Sequence, residues 1–245
     1  MVVTTESVDV KVDGGTMRML VTAPRAEGPY PGIVMYSDIF QITAPQTRVS
    51  TRLAGYGFVV ATPEIYRRIE PPGTAIAFDD AGRTRGQENA KKTSVAEFDA
   101  DCRAALDWLG KSPKVSADRL GAMGFCIGGH LAFRAALQPD VRATVCFYPT
   151  GVHDGKLGKD ADAKSLSRAK DIKGELLLVF GTADPHVPEK ARAEIAAALT
   201  RAGTRFTTKL FPAEHAFMRD EGPRFDPEST DRAWDEAITF LRRAL

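Results

Sequence analysis

Leu120-Gly-Ala-Met-Gly124-Phe125-Cys126-Ile127-Gly128-Gly129-His130-Leu131-Ala132 carries a strand-forming apolar run into Gly-x-Cys-x-Gly-Gly and out into a helix-forming run. A nucleophile held on so sharp a strand-to-helix turn brings the residues two before and two after it against neighbouring backbone, where a Cβ has no room. Gly124 and Gly128 stand at those two places. The helix that opens after Cys126 turns its amides and positive dipole end toward the sulfur, which favours thiolate. An isolated cysteine is more often a small buried hydrophobe. Strand, paired glycines and helix in this order favour a reactive one.

On either side of this turn the chain alternates short apolar runs with stretches of helical period. Val8, Val10 and Val12 alternate before Asp13-Gly14-Gly15 and Thr16–Thr22, which spells an opening hairpin. Gly32–Tyr36, Phe58–Ala61, Leu120–Phe125, Ala143–Phe147, Leu176–Phe180 and Phe206–Phe211 are continuous rather than alternating, as strands buried on both faces are. Helices are expected over about Ser94–Leu109, Pro188–Thr200 and from about Glu228 to the end. Ile69–Lys92 fits neither period and reads as a long excursion over the sheet. The fold class expected is α/β: one domain over residues 1–245, with a mostly parallel central sheet, an N-terminal antiparallel hairpin and helices on both faces.

A nucleophile on such a turn needs an acid and a histidine later in the chain, in that order. After Leu176–Phe180 comes Gly181-Thr-Ala-Asp184-Pro-His186, and after Phe206–Phe211 comes Pro212-Ala-Glu214-His215-Ala-Phe217. Asp184 and His215 both fall at the carboxyl ends of strands, the edge where open parallel sheets build their sites. Taken singly, each is more often structural; in this order with Cys126 they form a candidate triad. His130 sits on the helix after Cys126 and is expected to pack behind the turn. His186 is too close to Asp184 in sequence to bridge it to the sulfur, and His153 is a candidate pocket-lining residue.

Composition narrows the chemistry. Of 245 residues, 33 are Lys or Arg and 32 are Asp or Glu, a net charge of +1 that gives nucleic acid no basic footprint. No apolar run approaches the roughly 20 residues of a membrane-spanning helix, and nothing at Met1–Val8 reads as a signal peptide. Three cysteines without Cys-x-x-Cys make no disulfide framework, so a cytoplasmic location is expected. Neither His-Glu-x-x-His nor a phosphate-cradling Gly-rich loop occurs, so no metal and no cofactor are expected.

The Cys-centred turn is that of the α/β hydrolases with a thiol in the serine position. The chain resembles the dienelactone hydrolase (carboxymethylenebutenolidase) family over almost its whole length. The resemblance rests on Ser37-Asp38-Ile39-Phe40, Ala61-Thr-Pro-Glu64-Ile-Tyr66, Gly124-Phe-Cys126-Ile-Gly-Gly129, Gly181-Thr-Ala-Asp184 and His215-Ala-Phe217-Met-Arg219. It implies Cys126, Asp184 and His215 as the triad. It also implies the backbone N–H groups of Ile39 and Ile127 as the oxyanion hole, which the general hydrolase layout supports. Two family arginines hold the substrate's carboxylate: Arg219 matches one. Arg83-Thr84-Arg85, beyond Pro72-Gly73-Thr74-Ala75, offers Arg85 or Arg83 for the other. Guanidinium forks suit a carboxylate. Tyr148 and Phe40 are expected to line the same pocket.

Two departures from the family pattern bear on substrate. The family's Glu before the first oxyanion residue is Asp38 here, one methylene shorter, and the excursion lacks the expected tyrosine and tryptophan. If Asp38 sits beside Cys126 it opposes thiolate formation, and an anionic substrate on Arg85 and Arg219 would draw it away. If the shorter carboxylate does not reach the sulfur, it is a surface or capping group that holds the Ser37–Phe40 turn so that the Ile39 amide faces the oxyanion. Three functions follow as alternatives. The first is hydrolysis of a carboxylate-bearing enol lactone through a thioester on Cys126; the second is a general carboxylesterase or thioesterase on small esters. The third is a non-catalytic hydrolase-like binding protein, against which all three triad positions argue. The expected partner is a small lactone or ester, and the expected state a monomer or weak homo-oligomer.

Overall fold

Val8, Val10 and Val12 alternate along β1 (Val3–Val12), and Gly14 and Gly15 supply positive φ angles of 76° and 132° for the turn into β2 (Gly15–Pro24). This hairpin is antiparallel, with Val12 opposite Gly15. The continuous apolar runs become β3 (Tyr30–Tyr36), β4 (Val59–Pro63), β5 (Val115–Phe125), β6 (Val141–Phe147), β7 (Glu175–Gly181) and β8 (Arg205–Phe211). One eight-stranded sheet results, in the order β1-β2-β4-β3-β5-β6-β7-β8. β2 meets β4 antiparallel, and every pair from β4 to β8 is parallel. The computed structural model describes residues 1–245.

Successive strand residues serve opposite faces. Ile33 and Met35 of β3 join the core under α1 (Ala44–Gly55) and α6 (Pro227–Ala244), where Leu53, Trp234 and Leu241 are buried. Val34 and Tyr36 join the other core, under α3 (Val95–Lys111), α4 (Ile127–Ala135) and α5 (Glu189–Ala202). Each fully buried aliphatic side chain there contributes about 1.5–3 kcal/mol of transfer free energy. No helix is long and apolar enough to cross a membrane.

Two α-helices stand where the sequence reading has none. The excursion contains a helix, α2 (Asp80–Lys92), started by Asp79, whose side chain accepts from the Gly82 N–H at 2.7 Å. It buries Gly82, Gly86, Asn89 and Ala90, so it packs through small residues and carries no apolar stripe for a period search to find. α1 shows no clear helical period in sequence either: Thr47, Val49 and Thr51 weaken its helix propensity, and Pro45 in its first turn marks the start.

The topology also chooses the site. From β3 the chain crosses through α1 to β4 on one side, whereas from β5 it crosses through α4 to β6 on the other. The carboxyl ends of the adjacent strands β3 and β5 therefore flank the point where the winding reverses, and there the sheet leaves a crevice.

Candidate active site

Cys126 occupies the turn between β5 and α4 at φ 59° and ψ −122°, a conformation that costs a side-chain-bearing residue about 1–3 kcal/mol. Its N–H donates to the Phe147 carbonyl at 3.1 Å and its carbonyl accepts from Gly129 N–H at 3.0 Å. A Cβ on Gly124 would collide with the Gly128 carbonyl, and one on Gly128 with the carbonyl oxygens of Ser37 and Tyr36. The two turns at the crevice are thus packed backbone against backbone. The half-buried sulfur has Thr150 Oγ1 at 4.0 Å.

Asp184 and His215 arrive from the ends of β7 and β8, and both are buried. Asp184 Oδ1 accepts the backbone N–H groups of His186 (2.8 Å) and Val187 (3.3 Å), which fixes the carboxylate. Its Oδ2 faces His215 Nδ1 at 2.7 Å, so Nδ1 carries the donated proton and the opposite ring nitrogen is left for Cys126. Burial alone would depress the His215 imidazolium. The neighbouring Cys126 sulfur and the hydrogen-bonded Asp184 carboxylate outweigh it and lift His215 to about 9. Burial likewise pushes Asp184 up, but His215 and the His186 amide bring it below the ordinary carboxylate value.

A pH prediction follows. A histidine raised in the folded state stabilises it fully below the unfolded value of about 6.5. That contribution is lost as pH rises through about 9. The lowered Asp184 contributes above its ordinary value and is lost on acidification. By NMR, His215 is expected to titrate near 9 in the intact chain and lower in Cys126→Ala. An identical midpoint in both would show that the sulfur carries no charge beside it.

The turn after β3 lies opposite. Asp38 Oδ1 accepts Phe40 N–H at 3.0 Å and Asp38 O accepts Gln41 N–H at 3.2 Å, while the Ile39 N–H has no acceptor. Ile127 N–H, at the first position of α4, has none either. Asp38 Oδ2 pairs with Arg219 Nη1 at 3.5 Å, and no hydrogen bond joins Asp38 to Cys126. Burial raises the Asp38 carboxyl, against the pull of Arg219, the Phe40 amide and His215. Arg219 is sandwiched: its guanidinium carbon lies 4.9 Å from the Phe40 ring and 4.8 Å from that of Phe78. Its Nε is buried without an acceptor. Tyr148, buried and edge-on to His215 at 5.1 Å, lines a cleft with Asp38, Gln46, Phe125 and Arg219.

Arg85 is placed differently from expectation. It lies on α2 and spends its fork on buried Glu70, with bonds of 2.8 and 2.5 Å, while Arg83 pairs with Asp80 at the surface. Glu70 also accepts from Asn89. The reason is chemical: a buried carboxylate at the start of the excursion needs a cation, and Arg85 is the one that reaches it. His130 is fully buried behind the turn, bonded to Thr150 O and Ser165 Oγ. His186 stacks edge-on against His215 at 4.7 Å. His153 sits beside Asp154, with Nδ1 unpartnered. Thr150, Phe78 and Gln41 were missed. Nothing in their types marked them, though Phe78 was visible as an apolar residue in a charged segment.

Seen whole, a thiol on a strained strand-to-helix turn, a buried His–Asp pair and two free amides at the switch of a mostly parallel sheet define the α/β-hydrolase class. Residues 17–245 match the model of the dienelactone hydrolase family, and the chain belongs to that family. It is 38% identical over 227 residues to a Saccharomyces cerevisiae protein provisionally named carboxymethylenebutenolidase, covering 89% of this chain and 83% of that one. It is 27% identical over 237 residues to carboxymethylenebutenolidase of Pseudomonas sp. strain P51, covering 97% and 94%. A crystal structure of a provisionally named dienelactone hydrolase from Klebsiella pneumoniae superposes with a TM-score of 0.87 at 22% identity, covering 99% and 100%. The family is one of ester and lactone hydrolases.

Proposed function

We propose that this chain opens a carboxylate-bearing enol lactone by thiol catalysis. The observation that carries the reading is the buried His215–Asp184 pair, closed by a 2.7 Å hydrogen bond at the sheet edge where Cys126 sits on its left-handed turn. The Cys126 thiolate attacks the acyl carbon, and the Ile39 and Ile127 amides receive the tetrahedral oxygen. Collapse breaks the ring C–O bond and releases an enolate, which takes the proton of the His215 imidazolium. A thioester to Cys126 remains. Neutral His215 then accepts a proton from water as that water attacks the thioester, releasing the acid and restoring the pair. Arg219 binds the substrate's carboxylate, with Phe40 and Tyr148 as walls. Arg85, the other guanidinium expected there, stays with buried Glu70.

One observation favours the second reading, a general small-ester hydrolase: both guanidinium groups already carry a carboxylate partner. Arg219→Met separates the two. On the lactone reading, kcat/KM for a carboxylated enol lactone falls about 100-fold, the worth of a charge-assisted bond of roughly 3 kcal/mol, and a neutral aryl ester of similar size is hardly affected. Equal losses on both substrates, or a wild-type preference for the neutral ester, would leave the general esterase.

A further inference from the structure

Gln41 holds a left-handed backbone, φ 65°, which glycine adopts without strain and other side chains resist. A glutamine kept there needs compensation, and its buried carboxamide supplies it. Oε1 accepts the Tyr66 N–H at 3.1 Å and Nε2 donates to Thr74 O at 3.1 Å. Through its backbone, Gln41 closes the turn on Asp38 O and accepts from Thr43 N–H at 3.0 Å. One residue earlier, the Phe40 carbonyl accepts Ile76 N–H at 3.0 Å. Three hydrogen bonds therefore tie the turn after β3 to the chain between Tyr66 and Ile76. From the opposite side α2 closes on the same turn, for a Cβ at Gly86 would collide with the Ile39 carbonyl.

We propose that Gln41 is a positioning residue: its carboxamide clamps the Asp38–Gln41 turn to Tyr66 and Thr74 so that the Ile39 amide faces the oxygen that forms on the acyl carbon. The inference rests on the reading of Ile39 as an oxyanion donor. Such donors act only when already aimed at the place where charge will develop, and Ile39 has no hydrogen bond of its own to aim it. The clamp supplies that aim from a residue that never touches substrate.

Gln41→Gly removes the carboxamide while relieving the backbone, and Gln41→Met keeps the bulk without donor or acceptor. Each is assayed with an aryl ester and, separately, for Cys126 alkylation by iodoacetamide, which attacks a saturated carbon and makes no oxyanion. The expected result is kcat lowered about tenfold to a hundredfold, with KM and the alkylation rate close to wild type. Wild-type kcat in either folded variant would overturn the proposal, as would a loss confined to KM or an alkylation rate that falls in step with kcat. Absence of Cys126-dependent turnover in the unaltered chain would instead count against the hydrolase reading itself.

Discussion

Cys126→Ala is expected to lower kcat by about 10⁴-fold or more on any ester or lactone the unaltered chain turns over, with the fold intact. Loss of a nucleophile removes the covalent route altogether, and what remains is binding plus whatever the two free amides do for attack by water. The chain has no second thiol to take over. Cys102 and Cys146 are fully buried, and burial pushes the Cys102 thiol up to about 12 and the Cys146 thiol higher still. Acid-quenched turnover followed by peptide mass spectrometry should find the acyl increment on the peptide of Cys126 and on neither other cysteine. More than about a tenth of wild-type turnover in Cys126→Ala would remove the sulfur from the mechanism.

How far the sequence led depended on whether backbone or side chains made the contact. The turn at Cys126 was readable because two glycines are the chemical trace of two close approaches, and both approaches are present at Gly124 and Gly128. Asp184 and His215 were readable because strand ends in a parallel sheet converge on one edge, so order along the chain stands in for distance. α2 escaped because it packs through Gly82, Gly86 and Ala90 rather than an apolar stripe. The fate of Arg85 escaped because two charged residues fifteen apart carry no sign that one will be buried and need the other. Asp38 shows the same limit: its position left thiol contact and turn capping both open, and in the fold it accepts the Phe40 amide and pairs with Arg219, from the far end of the chain. Gln41 escaped for a third reason, since a positive φ at a residue other than glycine leaves no mark in composition.

The same close approaches set the largest expected stability effect. Gly128→Ala puts a methyl group into the carbonyl oxygens of Ser37 and Tyr36, which are backbone and cannot swing aside as a flexible side chain would. Either α4 lifts from the sheet or the end of β3 retreats, and overpacking of this kind is expected to cost more than about 3 kcal/mol. Gly55→Ala is the matched control, because at Gly55, in the last turn of α1, an added Cβ meets nothing within 4 Å. There the same change should be neutral or slightly stabilising, since alanine favours helix by about 1 kcal/mol. Urea unfolding of the two variants beside the parent chain measures the difference. Activity carries a second consequence, because Ser37 leads directly into Asp38 and Ile39. A retreat of β3 moves the Ile39 amide away from Cys126, so the folded fraction of Gly128→Ala should lose kcat beyond its loss of stability. If Gly128→Ala unfolds no earlier than Gly55→Ala, the two turns are not in the contact that places nucleophile and amide together.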